Sequence, residues 1–262
     1  GSVTTSFPIK LPAGRAGMQP SLGVSYSSEG GNSWMGLGWD MSIPAVTIDT
    51  RWGVPTYGDF DGDTVDDGIE TEIYSLGGEQ LTFEVSPGVF AIPNRNEGFN
   101  KPRQPNRQFY PRIEGSYNKI IREGATSDRY VWVVTSKDGT KSYFGGDETG
   151  VKDNAVLRDI NGNIGHWALY KTIDTNGNYV LYTYDKSTYS GNPGTGGQEL
   201  HISEIDYTLH TSQNPAKKYK VLFTTTSGRE DVQINGRLGF LQVESRRLTK
   251  VEVKYGDENV RS

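Results

Sequence analysis

Two tight turns, each placed between runs of alternating apolar and polar residues, constrain the fold of this chain more than any other feature. The turns are Asp138-Gly139 and residues 174–178, and the runs that flank them are 130–135, 141–145, 167–173 and 179–185. Asp-Gly between alternating runs is among the strongest local signals for a β-hairpin, because alternation places successive side chains on opposite faces of a strand. The sequence therefore predicts two antiparallel hairpins in this region.

Similar short runs occur along the rest of the chain, separated by turn residues. We predict further strands at residues 22–27, 43–48, 81–85, 201–207, 219–224 and 248–255. The composition agrees, since 33 glycines and 15 tyrosines among 262 residues suit strands and tight turns, while helix signals are nearly absent. We therefore expect an all-β protein of many short antiparallel strands and hairpins.

Cysteine usage, charge and hydropathy exclude several functions. The chain has no cysteine, which excludes disulfides and thiolate metal sites and leaves the compartment open. Its net charge of −5, without a basic block, argues against nucleic acid as a partner. No apolar run approaches the length of a membrane span, so we expect none.

Two further segments have expected structural roles. Trp34, Trp39 and Trp52 should pack in the core, where neighbouring glycines let the backbone approach closely. Residues 93–109 are rich in Pro, Asn and Arg, and we interpret them as a solvated surface loop. Mobility or contact with a partner is the alternative for this loop.

An aspartate-rich segment that begins at Asp59 is the sharpest candidate site. Aspartates at relative positions 1, 3, 5 and 9 can direct oxygens to one point when glycine lets the loop turn, and a glutamate follows at position 12. Calcium takes roughly six to eight oxygen ligands. The sequence therefore predicts a calcium site formed by Asp59, Asp61, Asp63, Asp67 and Glu70. Its glycine stands at position 4 rather than at position 6 as in an EF-hand, and an acidic solvated turn is the alternative.

Signals for catalysis are weak. His166, His201 and His210 are scattered and have neither metal-site spacing nor the context of a serine nucleophile. No glycine-rich phosphate loop precedes a helix. Two carboxylates for glycoside hydrolysis need only meet in space, and no pattern supports such a pair. We therefore assign no catalytic residue and no cofactor other than calcium.

Three groups of segments follow one another in a recognisable order. The first comprises residues 11–28 (LPAGRAGMQPSLGVSYSS), 34–44 (WMGLGWDMSIP), 51–57 (RWGVPTY) and 74–81 (YSLGGEQL). The second is 177–185 (GNYVLYTYD), which is similar to a YD repeat and whose tyrosines, two apart, should share one face of a sheet. The third comprises 228–232 (GREDV), 239–240 (GF) and 246–253 (RRLTKVEV). Together they resemble the SpvB N-terminal family, found in B components of insecticidal Tc toxin complexes and in related Rhs/YD-repeat proteins.

This resemblance implies a function. In Tc toxins, the SpvB-like region and the Rhs/YD repeats form a hollow β shell around a toxic C-terminal segment. The resemblance therefore implies a non-catalytic structural module of a secreted bacterial toxin, which builds or caps such a shell. Its partners would be other segments of the parent shell, the enclosed effector and other toxin-complex subunits. We divide the chain into an SpvB-like β region at 1–116, with the aspartate-rich loop, and a YD-repeat-like hairpin region at 117–262, or treat both as one continuous domain.

Family members can also carry an ADP-ribosyltransferase domain, which needs an Arg, a Ser-Thr-Ser strand and Glu-x-Glu. Glu70-Thr71-Glu72 matches the last element by letters alone, and no Ser-Thr-Ser precedes it, so we reject this assignment. The alternative function is a calcium-dependent module that binds glycans or a protein, in a secreted or cell-surface protein. The Gly1-Ser2 start resembles the remnant of a tag, so we expect an excised piece of a shell, which would associate through unpaired strand edges.

Overall fold

The structure is a computed structural model, which describes residues 1–59, 61–63, 65–95, 98–191, 196–213, 215 and 217–261. Its first strands are β1 (Thr4–Pro8), β2 (Gly23–Ser27), β3 (Asn32–Ser33), β4 (Gly36–Leu37), β5 (Trp39–Asp40), β6 (Ala45–Ile48), β7 (Tyr74–Leu76), β8 (Glu79–Thr82), β9 (Glu84–Ser86), β10 (Val89–Phe90), β11 (Arg107–Pro111) and β12 (Lys119–Glu123). There follow β13 (Val131–Thr135), β14 (Lys141–Phe144), β15 (Gly146–Asp147), β16 (Gly150–Val151), β17 (Val156–Arg158), β18 (Ile164–Ile173), β19 (Asn178–Tyr189), β20 (Gly197–His210), β21 (Tyr219–Thr226), β22 (Gln233–Asn235), β23 (Gln242–Glu244), β24 (Arg247–Tyr255) and β25 (Glu258–Arg261). Short 3-10 turns lie at Arg15–Gly17, Thr50–Trp52 and Asp153–Ala155.

The strand content confirms the all-β prediction, and both predicted hairpins form. Strand β13 pairs with β14 across Asp138-Gly139, and β18 pairs with β19 across residues 174–178. Gly139 and Gly177 adopt φ values of 83° and 85°, which a residue without Cβ reaches at no steric cost. Within the described ranges, no helix has the length and apolar character required to cross a membrane.

The chain folds into two compact units, and each unit is assembled from segments that are separated in the sequence. Unit 1 comprises residues 1–43, 171–234 and 242–262, and unit 2 comprises residues 44–170 and 235–241. The division proposed from sequence motifs, between residues 116 and 117, lies within unit 2 and stays a prediction.

Unit 2 is built on a sheet that closes on itself. The strand order is β14-β13-β12-β11-β8-β7-β6-β18, and β18 also pairs with β14. A closed sheet of about eight strands has an interior just wide enough for side chains to fill. The core ring centroids of Tyr74 and Trp132 are 4.9 Å apart, those of Phe109 and Trp132 are 5.0 Å apart, and those of Trp132 and Trp167 are 6.0 Å apart. Trp167 Nε1 donates to the Tyr130 carbonyl at 2.8 Å, so this buried N–H is satisfied.

Unit 1 contains an antiparallel sheet in the order β19-β20-β21-β24-β25 and a three-stranded sheet in the order β1-β2-β5. Tyr182 and Tyr184 of the YD-like segment lie on the same buried face of β19, as predicted, and burial raises the pKa of Tyr182 to about 12. A ladder of Tyr207, Tyr219 and Tyr255 runs across β20, β21 and β24, with ring centroids 5.2 Å and 4.8 Å apart. Such direct cross-strand pairs stabilise a sheet.

The expectation for the N-terminal tryptophans is only partly right. Trp34 is buried and its ring centroid lies 6.1 Å from that of Phe223, but Trp39 and Trp52 are only half-buried. The fully buried indoles are those of Trp132 and Trp167, which occupy strands of the closed sheet and lose contact with water on all sides.

The prediction of a solvated loop at residues 93–109 is wrong for two of its arginines. The side chains of Arg103 and Arg107 are only 5% and 7% exposed, and Arg107 begins β11. Burial of a guanidinium requires carboxylate partners, which lie far away in the sequence, at Glu70 and Glu72.

Candidate functional site

The aspartate-rich loop lies in unit 2, between the 3-10 turn at Thr50–Trp52 and β7. Asp59, Asp61 and Asp67 each offer a carboxylate oxygen, and these oxygens all lie within 4.8 Å of one another. One calcium ion could contact all three, since its oxygen ligands stand about 2.3–2.6 Å from the ion. The structure thus brings together three of the five predicted ligands.

The other two predicted ligands are placed differently. Asp63 Oδ1 accepts a hydrogen bond from the backbone N–H of Val65 at 2.8 Å, so this side chain shapes the turn. Glu70 is fully buried, and its carboxylate faces Arg122 on β12. Glu70 fits the ligand spacing in the sequence, but its carboxylate pairs with the guanidinium of Arg122 instead.

Glu70 is the centre of a buried ion-pair network. Arg122 contacts Glu70 Oε1 through Nη1 and donates to Oε2 through Nη2 at 2.9 Å. Arg107 Nε lies 3.5 Å from Oε2, and the Tyr74 hydroxyl donates to Oε1 at 3.4 Å. A buried charge is costly unless it is paired and hydrogen-bonded, and these contacts meet that requirement for Glu70.

A second ion pair links this network to the aspartate-rich loop. Arg103 donates to Glu72 Oε2 at 3.3 Å and to the Tyr130 hydroxyl at 2.9 Å. Burial raises the pKa of Glu72, against the opposing attraction of Arg103. Arg103 Nε lies 3.7 Å from Asp66 Oδ1, so a carboxylate of the loop also faces this guanidinium.

Backbone hydrogen bonds close the base of the loop. The N–H of Asp67 donates to the Gly58 carbonyl at 2.9 Å, and the N–H of Gly58 donates to Thr71 Oγ1 at 2.9 Å. A Cβ at Gly58 would lie 2.2 Å from Arg103 Nη2 and 2.3 Å from Asp66 Oδ1, so a side chain here would force these two side chains to move. The ends of the loop are therefore fixed, while Asp61 and Asp67 are exposed.

These contacts define what the two groups of carboxylates can do. The exposed cluster can hold a hard cation. Glu70 and Glu72 instead neutralise Arg122 and Arg103 inside unit 2, which gives the Glu70-Thr71-Glu72 segment a structural role.

A polar cluster in unit 1 was missed by the sequence reasoning. His201 Nε2 on β20 lies 3.6 Å from Glu244 Oε1 on β23, and neither atom has a hydrogen-bond partner in the described part of the chain. Burial lowers the pKa of His201 and raises that of Glu244 to about 7. Nearby, Glu199 accepts from the N–H of Ser245 at 2.9 Å. The only sequence signal was that Glu199 and His201 are two apart in a strand and so share a face.

Comparisons with known proteins agree with this architecture. Mono(ADP-ribosyl)transferase SpvB from Salmonella choleraesuis (strain SC-B67) and from Salmonella enteritidis are each 24% identical over 247 residues. Each alignment covers 86% of this chain but only 39% of the relative, so the chain spans about two fifths of these proteins.

Two solved structures share the fold. The N-terminal domain of effector protein SpvB from Salmonella typhimurium strain LT2 has 18% identity and a TM-score of 0.71, with 95% of this chain and 87% of that chain covered. TcdB2-TccC3 has 16% identity and a TM-score of 0.67, with 97% of this chain and 14% of that chain covered. The family model described as "SpvB: Salmonella virulence plasmid 65kDa B protein" matches residues 1–237, and the chain therefore belongs to the SpvB family.

Proposed function

We propose that this chain is a non-catalytic structural module of a secreted Tc/Rhs-type toxin, which builds or caps a β shell around a C-terminal effector. The observation that supports this most is the fold shared with TcdB2-TccC3, in which the matched region is only 14% of that chain. A module that contributes one part of a large wall needs rigid sheets, and the closed sheet of unit 2 with its filled interior is such an element.

The partners proposed on this basis are the other segments of the parent shell, its effector and other toxin-complex subunits. Cryo-electron microscopy of the chain, co-expressed with a Rhs/YD-repeat partner, tests the assignment. We expect a hollow particle in which this chain forms part of the wall and density fills the lumen. A compact particle without a lumen, with this chain attached outside, would contradict the proposal.

The absence of catalysis is tested separately. The curated relatives are named as mono(ADP-ribosyl)transferases, but the chain spans 39% of their length. We expect no transfer of labelled ADP-ribose from NAD to proteins of a host-cell lysate, with full-length SpvB as the positive control. Transfer that is lost in Glu72→Gln while the protein stays folded would establish an enzyme and end the non-catalytic assignment.

A second candidate function is calcium-dependent binding of a glycan or a protein, favoured by the convergence of Asp59, Asp61 and Asp67. We propose that calcium binds there and rigidifies the loop. Titration calorimetry on metal-stripped protein should show binding that Asp61→Asn abolishes. Asp63→Asn is the matched control, and it should keep most of the binding because Asp63 does not belong to the group of converging carboxylates. A melting temperature unaffected by calcium would leave the loop an acidic turn, since a ligand of the native state stabilises it.

A further inference from the structure

An apolar groove in unit 2 has no role in the function proposed above. It has a volume of about 540 Å³, and its lining includes Gln80, Phe90, Ile92, Arg112, Glu114 and Tyr117. Large apolar side chains are strongly exposed there: Ile92 is 84% exposed, Tyr117 67% and Phe90 44%. Contiguous exposed apolar surface of this kind marks interaction sites in soluble proteins, because it is costly to leave in water.

The rim of the groove carries positive charge that is not neutralised within the described residues. The guanidinium of Arg112 donates to Gln80 Oε1 at 3.0 Å and has no carboxylate partner there. The ammonium of Lys137 lies 4.5 Å from the centroid of the Tyr117 ring. Among the described residues of the lining, Glu114 is the one acid, and its Oε1 accepts from the N–H groups of Gly115 and Tyr117.

Two further lysines extend this charge beyond Tyr117. Lys119 on β12 and Lys141 on β14 both lie opposite Thr135 of β13, so their side chains share one face of the sheet. Both are exposed. Glu123 shares this face of β12 but lies at the other end of the strand, opposite Val131. Positive charge beside the groove stands out because the whole chain has a net charge of −5, and it favours an acidic partner.

We propose that this groove binds a linear segment of another polypeptide, in which large apolar side chains are flanked by acidic residues. The apolar side chains would fill the cavity beside Phe90 and Ile92, and the acidic residues would face Arg112 and Lys137. The cavity has the size of sites that take a few side chains rather than a domain. A membrane surface fits less well, because the apolar side chains line a concave cavity between strands and loops, whereas interfacial lipid binding uses the apolar face of an amphipathic helix.

Fluorescence anisotropy with three labelled peptides tests this inference. The first has two phenylalanines flanked by glutamates, the second replaces the glutamates by lysines, and the third replaces the phenylalanines by serines. We expect saturable, salt-sensitive binding of the first peptide, with affinity at least about tenfold above that of either other peptide. Equal binding of the lysine peptide, or no saturable binding of the first peptide, would overturn the proposal.

Matched variants locate the binding. Ile92→Ser and Arg112→Glu should each weaken the first peptide at least about tenfold, without a change in the melting curve, since both side chains are exposed. Ile160→Ser and Arg129→Glu are the controls, because Ile160 is fully exposed and neither residue lines the groove. Control variants that weaken binding as much would overturn the assignment. So would anionic vesicles that bind through Ile92 while the peptide does not.

Discussion

At the residue scale, the pair of Arg122 and Glu70 should be highly sensitive to substitution, because neither side chain has exposed surface. We expect Arg122→Met to reduce the free energy of unfolding by about 3–5 kcal/mol, since Glu70 would remain buried without its bidentate partner. Urea denaturation measures the loss. The double variant Arg122→Met/Glu70→Leu should lose less free energy of unfolding than the single variant, because both buried charges are gone. A larger loss in the double variant would mean that the ion-pair network stabilises the protein by more than the desolvation of its charges costs.

Glu244 gives a pH dependence with a defined sign. Its pKa is raised by burial from the usual value to about 7, so the folded state holds a proton that the unfolded state releases above about pH 4.5. The resulting cost is absent at pH 4, grows as the pH rises and is complete above pH 7. Glu244→Gln should therefore stabilise the protein at pH 8 by about 1 kcal/mol, after allowance for partial exposure, and have little effect at pH 4.

Denaturation midpoints at both pH values test this expectation, and Glu29→Gln is a suitable control, because the Glu29 side chain is exposed. Equal stabilisation of Glu244→Gln at both pH values would show that burial of the charge is not the cause.

Individual side chains were predictable from the sequence only where their partners are close by. Asp59 and Asp61 belong to one turn, so spacing alone indicated that they converge. Glu70 fitted the same spacing, but its partner Arg122 is 52 residues away in the sequence, and no local sequence pattern indicates such a pair. The same holds for Arg103, for which the sequence predicted a solvated loop position, because its partner Glu72 is also distant in the sequence.

At the scale of elements, strand β18 is flanked on both sides by five-residue turns of the same type. Residues 159–163 read Asp-Ile-Asn-Gly-Asn and residues 174–178 read Asp-Thr-Asn-Gly-Asn. In each, the first aspartate accepts from two backbone N–H groups and from the amide of the last asparagine, at 2.7–2.9 Å. This repetition is visible in the sequence, and it indicates two turns of one type, each with a glycine at a position of positive φ.

Alanine substitutions separate the backbone conformation of these turns from their packing. Gly162→Ala should cost about 1 kcal/mol, because φ is +93° but a Cβ would meet only Asp128 Cβ, at 3.9 Å. Gly177→Ala should cost more, since its Cβ would also lie 2.5 Å from Thr211 Oγ1. Gly115→Ala is the control, with free space and no positive φ. Thermal melts give the order, and a loss at Gly115 equal to that at Gly162 would contradict the role of φ.

Hairpins were predicted well because turn and strands are contiguous in sequence, as at Asp138-Gly139. Closure of the sheet in unit 2 was not predictable, since the pairing of β14 with β18 joins the two ends of an eight-strand order and no local sequence pattern indicates it. Its consequence is visible in the core: the indoles of Trp132 and Trp167 are fully buried, and the more conspicuous Trp39 and Trp52 are not.

For the molecule as a whole, an open strand edge offers a surface for pairing with another copy. Strand β1 pairs only with β2 among the described strands. The Val3 carbonyl accepts from the N–H of Ser28, and the N–H of Ile9 donates to the Leu22 carbonyl, so alternate residues of β1 face β2. Because this direction alternates along a strand, Thr4 and Ser6 point their N–H and C=O groups to the open side. An edge of this kind is a template for pairing with another strand.

We therefore expect the isolated chain to self-associate through β1. Static light scattering should give a mass that rises with protein concentration, and Ser6→Pro should hold the mass at that of a monomer, because it removes an N–H from the open edge while leaving the bonds to β2 intact. Leu37→Ser is the control: it removes an apolar side chain that is 74% exposed, yet should not change the association. A constant monomer mass for the unaltered chain would mean that Pro8, which already lacks an N–H, protects this edge sufficiently. In that case an open strand edge would not be the feature by which such a module joins its neighbours, and side-chain surfaces such as the apolar groove of unit 2 would have to provide the contact.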